Sequence, residues 1–411
     1  MGQQIIQINQ LRRAWSVSHG LHAAHALPPV DISRQLGWPR TLGGVDAYLA
    51  MAARNPQLQP SEVDAALVHQ GPLQVLPAAR SCMYIVPRVD APRALRFGFE
   101  GWKKRTLADC LRAGVQADEL ERAVQETAKK LNDKPQTTDE LRQSLPAGVI
   151  RGLGEVGKKA GKSTVFPDAI RWLESEGLAE RTPADGHLRN ERYVWKKPQE
   201  NRIAQLTDRD HAPALNSWMA QHYFQVAAPG RVRDFADWAG IGQKDAGTAM
   251  APLNLQQIAV EGQKEPYFLP QDRLNGLEDD TPAQSPRLLS LIDPLTDYRN
   301  GLQLLVNPRH HGVELPGIGG KLKPIRELNA LWLRMICDGG EVIGVWDFDP
   351  DAKHVVTATF DPLPKPRQKV LNDEAERLTV LLRDTLKDAR AYSLDSEKSL
   401  RQRAQFVRSV A

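Results

Sequence analysis

The chain has few cysteines and no long apolar segment. Its three cysteines, Cys82, Cys110 and Cys337, lack the spacing of metal ligands, which argues against a zinc site or a disulfide framework and is typical of a reducing cytoplasm. No apolar run approaches the roughly 18 residues that a membrane span needs, and the N-terminus lacks a signal-peptide pattern. We therefore expect a cytoplasmic protein without a membrane partner.

The chain also lacks a strong charge of one sign. It has 54 Lys and Arg against 50 Asp and Glu, a net charge of +4 over 411 residues. A protein that coats DNA irrespective of sequence would be far more basic, so any nucleic-acid site must be a local basic patch.

Residues 137–195 show the most informative pattern. Thr138 or Asp139 can cap a first helix, and Gly177 is suited to end a second one. Two strand-like runs follow, with Pro-Ala-Asp-Gly between them as a hairpin turn: Leu178–Thr182 and Arg192–Trp195. This order predicts a winged helix, which places one helix in a major groove. Winged helices also bind proteins, and that alternative stays open.

The link between these two helices is rich in glycine and lysine. Its Gly-Lys-Lys-Ala-Gly-Lys-Ser-Thr run has three residues between Gly157 and Gly161, whereas a phosphate-binding loop needs four. The run therefore predicts no nucleotide site. Its basic residues are interpreted as DNA phosphate contacts, or else as a solvated loop: Arg151, Lys158, Lys159 and Lys162.

The rest of the chain repeats this helix-and-strand pattern and then becomes β-rich. We predict an α+β fold of tandem winged-helix units followed by a small C-terminal β-barrel, with a curved sheet as the alternative. A hairpin is expected around Asp-Gly-Gly-Glu, between Met335–Cys337 and Val342–Trp346. The predicted boundaries are an N-terminal helical and winged-helix unit, a second winged helix, a third winged helix, and a barrel with a terminal helix: residues 1–130, 131–200, 201–285 and 286–411.

An ordered series of blocks resembles the bacterial winged-helix DNA glycosylases of the AlkZ-like group. After the N-terminal helices come Arg-Ser-Cys-Met-Tyr-Ile-Val-Pro, Leu-Gly-Glu-Val-Gly-Lys-Lys-Ala-Gly-Lys and Arg-Val-Arg-Asp-Phe-Ala-Asp-Trp-Ala-Gly-Ile. Leu-Ile-Asp-Pro-Leu-Thr-Asp-Tyr-Arg-Asn and Gly-Gly-Glu-Val-Ile-Gly-Val-Trp-Asp-Phe-Asp-Pro complete it, so that the likeness covers about residues 8–395. The resemblance implies repair of alkylated and crosslinked DNA by a monofunctional glycosylase that uses no metal or cofactor.

The sequence departs from this group at the catalytic step. The group carries a Gln-x-Gln or Gln-x-Asp motif that activates water, and alignment places it on residues 40–42, which are Arg-Thr-Leu. The nearest acid is Asp46, after a Gly-Gly turn. A carboxylate can orient water and offset positive charge on an oxocarbenium-like sugar, so Asp46 is the catalytic candidate. Its alternative role is a helix N-cap.

Five further residues are predicted DNA contacts, each with a structural alternative. Trp38 and Arg40 are candidates to wedge into a duplex, although Trp38 also suits a buried site. In the resembling group a histidine occupies the position of Tyr84; here Arg80 is a candidate phosphate contact and Tyr84 a stacking residue, or both are core strand residues. Arg299 is expected to reach the DNA backbone, or else to pair with Asp297.

The histidines at positions 19, 22 and 25 lie three apart, but no acid or cysteine accompanies them, so we expect no metal. The predicted protein is a monomer that binds double-stranded DNA and excises damaged bases. The alternative is a non-enzymatic DNA-binding regulator or lesion sensor, which the missing glutamine motif favours.

Overall fold

The computed structural model describes residues 4–22, 26–206, 211–277, 285–299 and 301–410. The chain forms two compact units. Unit 1 comprises Met1–Val63, Leu188–Asn190 and Ser217–Ala411, and unit 2 comprises Asp64–His187 and Glu191–Asn216. Each unit is assembled from separate stretches of chain. The finer division into four consecutive domains stays a prediction.

The fold is a mixed α+β fold. In chain order, the α-helices of the described residues are α1 (Ile8–Ser18), α2 (Pro29–Leu36), α3 (Asp46–Ala52), α4 (Pro60–Ala66), α5 (Ala91–Arg112), α6 (Ala117–Lys130), α7 (Thr138–Gln143), α8 (Gly154–Lys159), α9 (Phe166–Ser175), α10 (Ala212–Ala227), α11 (Val232–Ala239), α12 (Gln243–Met250), α13 (Pro294–Asp297), α14 (Lys365–Val380) and α15 (Glu397–Val410).

The strands are short and form several small sheets. They are β1 (Ile5–Ile6), β2 (Leu73–Pro77), β3 (Met83–Pro87), β4 (Gln136–Thr137), β5 (Glu180–Pro183), β6 (Tyr193–Lys196), β7 (Leu255–Val260), β8 (Tyr267–Pro270), β9 (Arg287–Leu288), β10 (Glu314–Pro316), β11 (Leu322–Pro324), β12 (Arg334–Asp338), β13 (Glu341–Asp349) and β14 (His354–Thr359).

Unit 2 contains the segment that the sequence singled out. Helices α7, α8 and α9 are followed by β5 and β6. These two strands and β4, which precedes α7, form a three-stranded sheet in the order β4-β6-β5. Thr137 caps α7 and forms a capping box with Glu140, so the predicted caps at Thr138 and Asp139 are wrong by one and two residues. Gly177 follows α9 at φ +71°, where glycine avoids the Cβ strain of a left-handed residue.

Two details of this segment differ from expectation. The lysine-rich link contains the short helix α8, which its glycines concealed in the sequence. The predicted two-residue turn at Asp-Gly is instead a connection over residues 184–192, because Pro183 pairs with Tyr193 and Ala184 N donates to Arg192 O. In the middle of this connection Leu188–Asn190 belongs to unit 1, where Leu188 N donates to the Tyr48 hydroxyl at 2.8 Å.

Unit 1 contains the helix-and-strand segment from α11 to β8, whereas the β2–β3 hairpin and helices α5 and α6 belong to unit 2. Helix α11 ends at Gly240, which has the left-handed conformation. The β7–β8 hairpin gains β1, whose Ile5 and Ile6 pair in parallel with Ala259 and Val260. This N-terminal strand was not predicted.

The C-terminal part of unit 1 is a four-stranded antiparallel sheet in the order β14-β13-β12-β9. The predicted hairpin is confirmed, since Asp338 pairs with Glu341 across Gly339 and Gly340, which both have positive φ. Strand pairing leaves β14 and β9 as the two edges of this sheet. Helix α15 follows α14 at the C-terminal end of the described residues.

Candidate active site

Asp46 is the first residue of helix α3. The N-cap is Val45, and Asp46 makes no capping hydrogen bond, so the N-cap alternative is wrong. The residue is 6% exposed. Gly44, just before it, has φ +69°, and a Cβ there would lie 2.3 Å from the carbonyl oxygen of Arg390. Glycine is therefore required at this turn, which sets the start of α3.

The Asp46 carboxylate is held by Arg334 and by a backbone amide. Oδ1 accepts from Arg334 Nε at 3.3 Å and Nη2 at 3.2 Å, and Oδ2 accepts from Ile292 N at 3.1 Å. Burial raises the pKa of Asp46, and the charge of Arg334 opposes that rise. A carboxylate with a raised pKa is a stronger base than an ordinary aspartate, which suits water activation.

Arg334 connects Asp46 to further buried charges. Its Nη1 donates to Asp347 Oδ1 at 2.9 Å, and Asp347 Oδ2 accepts from Arg403 Nε at 2.6 Å. Arg403 then makes two hydrogen bonds to Asp395, of 3.1 and 2.7 Å. Neither the contact of Asp46 with Arg334 nor the ion pairs beyond Arg334 were predicted from the sequence.

The segment that leads into α13 holds a second buried ion pair. Asp293 caps α13 through Leu295 N, and its two oxygens accept from Arg54 at 2.5 and 2.8 Å. Both side chains have no exposure to solvent. This pair joins the residue that follows the C-terminal end of α3 to the residue that caps α13, and we assign it a structural role.

Arg299 lies in the interior. It donates to Leu295 O and Ala227 O, lies beside His19 Nε2 at 3.0 Å, and covers the Trp15 ring at 4.1 Å. Burial lowers its pKa to about 10. Both expectations for Arg299 are wrong, because a guanidinium in this setting neither reaches DNA nor pairs with Asp297.

Asp297 pairs instead with Arg40, at 2.9 Å. The Arg40 side chain is 18% exposed, so a part of it faces solvent. A contact between Arg40 and DNA stays a prediction.

Trp38 is an interior residue and not a wedge. It is 1% exposed, has φ +73°, and stacks on His222 with ring centroids 4.0 Å apart. Trp218 and Trp238 flank the same histidine ring, at 6.3 and 6.1 Å. Of the two expectations for Trp38, the buried one agrees with this geometry.

Arg80 and Tyr84 lie on the β2–β3 hairpin of unit 2. Tyr84 has no exposure, so the predicted stacking on DNA is wrong and the core alternative holds. Arg80 is half-buried at the turn, where both it and Ser81 have positive φ. Non-glycine residues in this conformation are strained, and two such residues in succession mark the turn as unusual.

The basic residues around α8 differ in exposure, and the side chains of Arg151 and Lys158 are 50% and 73% exposed although each forms an ion pair. Arg151 pairs with Glu119 at 3.0 Å, and Lys162 is half-buried against Asp168 at 2.7 Å. Lys158 has 73% of its side chain exposed beside Glu155, and Lys159 is also exposed. Lys158 and Lys159 therefore have the solvent access that a phosphate contact needs.

The described residues contain no cluster of three or more side chains that could hold a metal ion. His25 lies outside the described residues, and His19 contacts Arg299, a poor neighbour for a cation. No helix within the described ranges is long and apolar enough to cross a membrane.

Sequence reasoning missed one surface feature. Ile318 is 82% exposed at the tip of the β10–β11 hairpin, between glycines at positions 317, 319 and 320. The signal was present in Gly-Ile-Gly-Gly-Lys, since a lone large apolar residue among glycines has no neighbours against which to pack.

The comparisons with known proteins place the chain among DNA glycosylases. A family model described as "DNA glycosylase AlkZ-like" matches residues 44–380. The chain belongs to this AlkZ-like family. Its structure is similar to that of the Streptomyces sahachiroi DNA glycosylase AlkZ, with a TM-score of 0.67 and 16% identity over 90% of this chain and 95% of that one. At that identity the likeness concerns the fold. No curated protein sequence matches the chain.

Proposed function

We propose that this protein is a monofunctional DNA glycosylase that hydrolyses the N-glycosidic bond of alkylated or crosslinked bases in double-stranded DNA. The observation that carries the proposal is the family match, which spans residues 44–380 and begins two residues before Asp46. A purine alkylated at a ring nitrogen such as N7 is cationic and hence a good leaving group, so modest catalysis suffices. The proposed enzyme needs no metal or cofactor, acts as a monomer and is cytoplasmic.

The proposed water-activating residue is Asp46. Its position supports the proposal in two ways. The Asp46 side chain retains 8% exposure, whereas those of its neighbours Arg334 and Asp347 have 0% and 1%. Burial raises its pKa and thereby its strength as a base. The same negative charge would stabilise an oxocarbenium-like sugar.

For DNA binding we propose that α7–α9 with β4–β6 is a winged helix. Three helices and a sheet in the order β4-β6-β5 support that assignment. Its phosphate contacts would come from Lys158 and Lys159, with Arg151 and Lys162 adding charge from their ion pairs. By the same argument α10–α12 with β7 and β8 would be another winged helix of the tandem. The sheet of β9, β12, β13 and β14 would be the barrel module.

Ile318 offers a contact of another kind. Exposed apolar side chains at hairpin tips can enter between base steps and unstack them. Lys321 and Lys323 follow it on the same hairpin and are both exposed. We propose that this hairpin meets the duplex through its Ile318 tip.

The decisive experiment is excision from a duplex that carries a single 7-methylguanine, with alkali to cut abasic sites. We expect strand cleavage by the wild-type protein and its loss, by about a hundredfold or more, in Asp46→Asn. The matched control is Asp234→Asn, because Asp234 is a carboxylate of unit 1 that is also buried and paired, with Arg231 at 2.7 Å. Both variants remove a buried negative charge, so thermal unfolding shows whether a loss is one of folding.

Each outcome has a definite meaning. Full excision by folded Asp46→Asn would show that another group activates water. If the wild-type protein binds duplex in a salt-dependent manner without excision, the regulator or lesion-sensor function replaces the enzyme. Binding without salt dependence would favour a protein partner for the winged units.

A further inference from the structure

Five buried charges of alternating sign connect α3 to α15 through the C-terminal sheet. In order they are Asp46, Arg334, Asp347, Arg403 and Asp395. Apart from Asp46, at 8%, each side chain is at most 5% exposed. We call these five residues the charge chain.

The charge chain contains one more carboxylate than guanidinium groups, so one negative charge is left uncompensated. Asp395 is fully served: it accepts two hydrogen bonds from Arg403 and one each from the amides of Ala391 and Ser396. Asp347 accepts from Arg334, from Arg403 and from Phe348 N.

Asp46 is the least compensated of the three carboxylates. Its bonds to Arg334, of 3.2 and 3.3 Å, are the longest between charged partners in the charge chain. The pKa directions agree with this order. Burial raises the pKa of Asp46, whereas at Asp395 the hydrogen bonds and charge of Arg403 outweigh burial and lower the pKa. The least compensated carboxylate is therefore Asp46, the member of the charge chain with the largest side-chain exposure, 8%.

We propose that Asp347 is a positioning residue that sets the base strength of Asp46 by occupying one side of the Arg334 guanidinium. Arg334 is the only cation that Asp46 contacts among the described residues, and Asp347 holds it at the shorter distance, 2.9 Å. Arg403 and Asp395 affect the competition of Asp46 and Asp347 for Arg334, because Arg403 binds Asp347 and is itself held by Asp395. The inference rests on the proposed function only in calling Asp46 the base.

The other titratable and charged groups around Asp46 do not take over the role of Arg334 and Asp347. On α3 the one further titratable residue is Tyr48, whose hydroxyl accepts from Leu188 N. The segment at residues 291–292 presents backbone amides to Asp46. Beside the turn before α3, Asp388 and Arg390 neutralise each other at 2.7 Å.

The proposal makes a prediction whose sign alternates along the charge chain. Asp347→Asn frees Arg334 to neutralise Asp46, and we expect the pKa of Asp46 to fall, with a rise of about threefold to tenfold in its acid dissociation constant. Asp395→Asn lets Arg403 serve Asp347 alone, so the change has the same direction and is smaller. Arg403→Gln has the opposite effect, because Asp347 then holds Arg334 more strongly.

The primary measurement is a titration of the Asp46 carboxyl by 13C NMR in full-length protein labelled at aspartate, with the signal assigned by its loss in Asp46→Asn. The second is the pH dependence of single-turnover excision of 7-methylguanine, whose acidic limb should move with the titration. Asp234→Asn is the control that removes a buried paired carboxylate outside the charge chain and should move neither.

Alternating signs would support the proposal, since a purely structural role changes stability or rate without moving a titration in opposite directions. Equal titrations in all folded variants would overturn it. If one variant fails to fold, the remaining pair of opposite sign decides. A titration that moves while excision keeps its pH profile would refute Asp46 as the base, and would leave the electrostatic coupling standing as a separate result.

Discussion

Replacement of His222 by phenylalanine should remove an acid-sensitive component of stability. His222 on α10 is stacked against Trp38, and burial lowers its pKa from 6.5 to about 4. The folded state therefore binds a proton at this ring less readily than the unfolded state. Stability from His222 is fully present above pH 6.5 and is lost as pH falls towards about 4.

The magnitude follows from the shift. A difference of about 2.5 pKa units corresponds to about 3 kcal/mol at one site, with a slope of about 1.4 kcal/mol per pH unit between pH 6.5 and 4. His19, whose pKa burial also lowers, contributes in the same direction in both proteins. The difference between wild type and His222→Phe isolates the one ring.

The assay is urea unfolding at pH 7.5, 6.5, 5.5 and 4.5, followed by tryptophan fluorescence and circular dichroism. At pH 7.5 we expect His222→Phe to be less stable by about 1 kcal/mol, since its hydrogen bond to Gly37 is lost. By pH 4.5 the variant should be the more stable protein. The reasoning is refuted if the two curves of unfolding free energy against pH run parallel. The matched control is His211→Phe, which replaces a histidine at an exposed position.

Two further substitutions test the turn before α3 and the basic surface of α8. Gly44→Ala should cost about 2 kcal/mol or more of unfolding free energy, because a left-handed alanine is strained and its Cβ would meet a backbone carbonyl; urea unfolding within 0.5 kcal/mol of wild type, on the order of an ordinary surface change, would contradict this. The double change Lys158→Ala and Lys159→Ala should lower the slope of log affinity for duplex DNA against log salt by about 2, and an unchanged slope would exclude both lysines as phosphate contacts.

Local patterns in the sequence predicted the features that depend on local chemistry. Gly177 follows the end of α9 and Gly339-Gly340 forms the β12–β13 turn, since each position needs a positive φ that glycine supplies. The mixed α+β class followed from the same periodicities. Helix α8 was missed because glycine lowers helix propensity. Glycine is nevertheless needed at position 157 of this helix, since a Cβ there would lie 2.2 Å from the side chain of Leu153.

Features that depend on distant residues were not predictable in this way. Asp46 and Arg334 are separated by 288 positions, and nothing in either local sequence marks the pair. Trp38 and Arg299 carry side chains that often contact DNA, but the fold places both inside unit 1. The residue types show which contacts these side chains could make, but burial prevents both side chains from reaching a ligand.

The turn at Gly43-Gly44 fixes the position of Asp46, the proposed catalytic acid. Gly44 N donates to Arg189 O and Val45 N to Arg390 O, so the turn is fixed to two other segments of unit 1 before α3 begins. Asp46 follows this turn directly, with no flexible loop between the turn and α3. Its carboxylate therefore has a fixed position beside Arg334. The proposed base accepts hydrogen bonds from Ile292 N and from the Arg334 guanidinium, which it shares with Asp347, and these contacts favour its ionised form despite burial. Its base strength would then depend on how Arg334 is divided between Asp46 and Asp347, and less on the glutamines that the alignment failed to find.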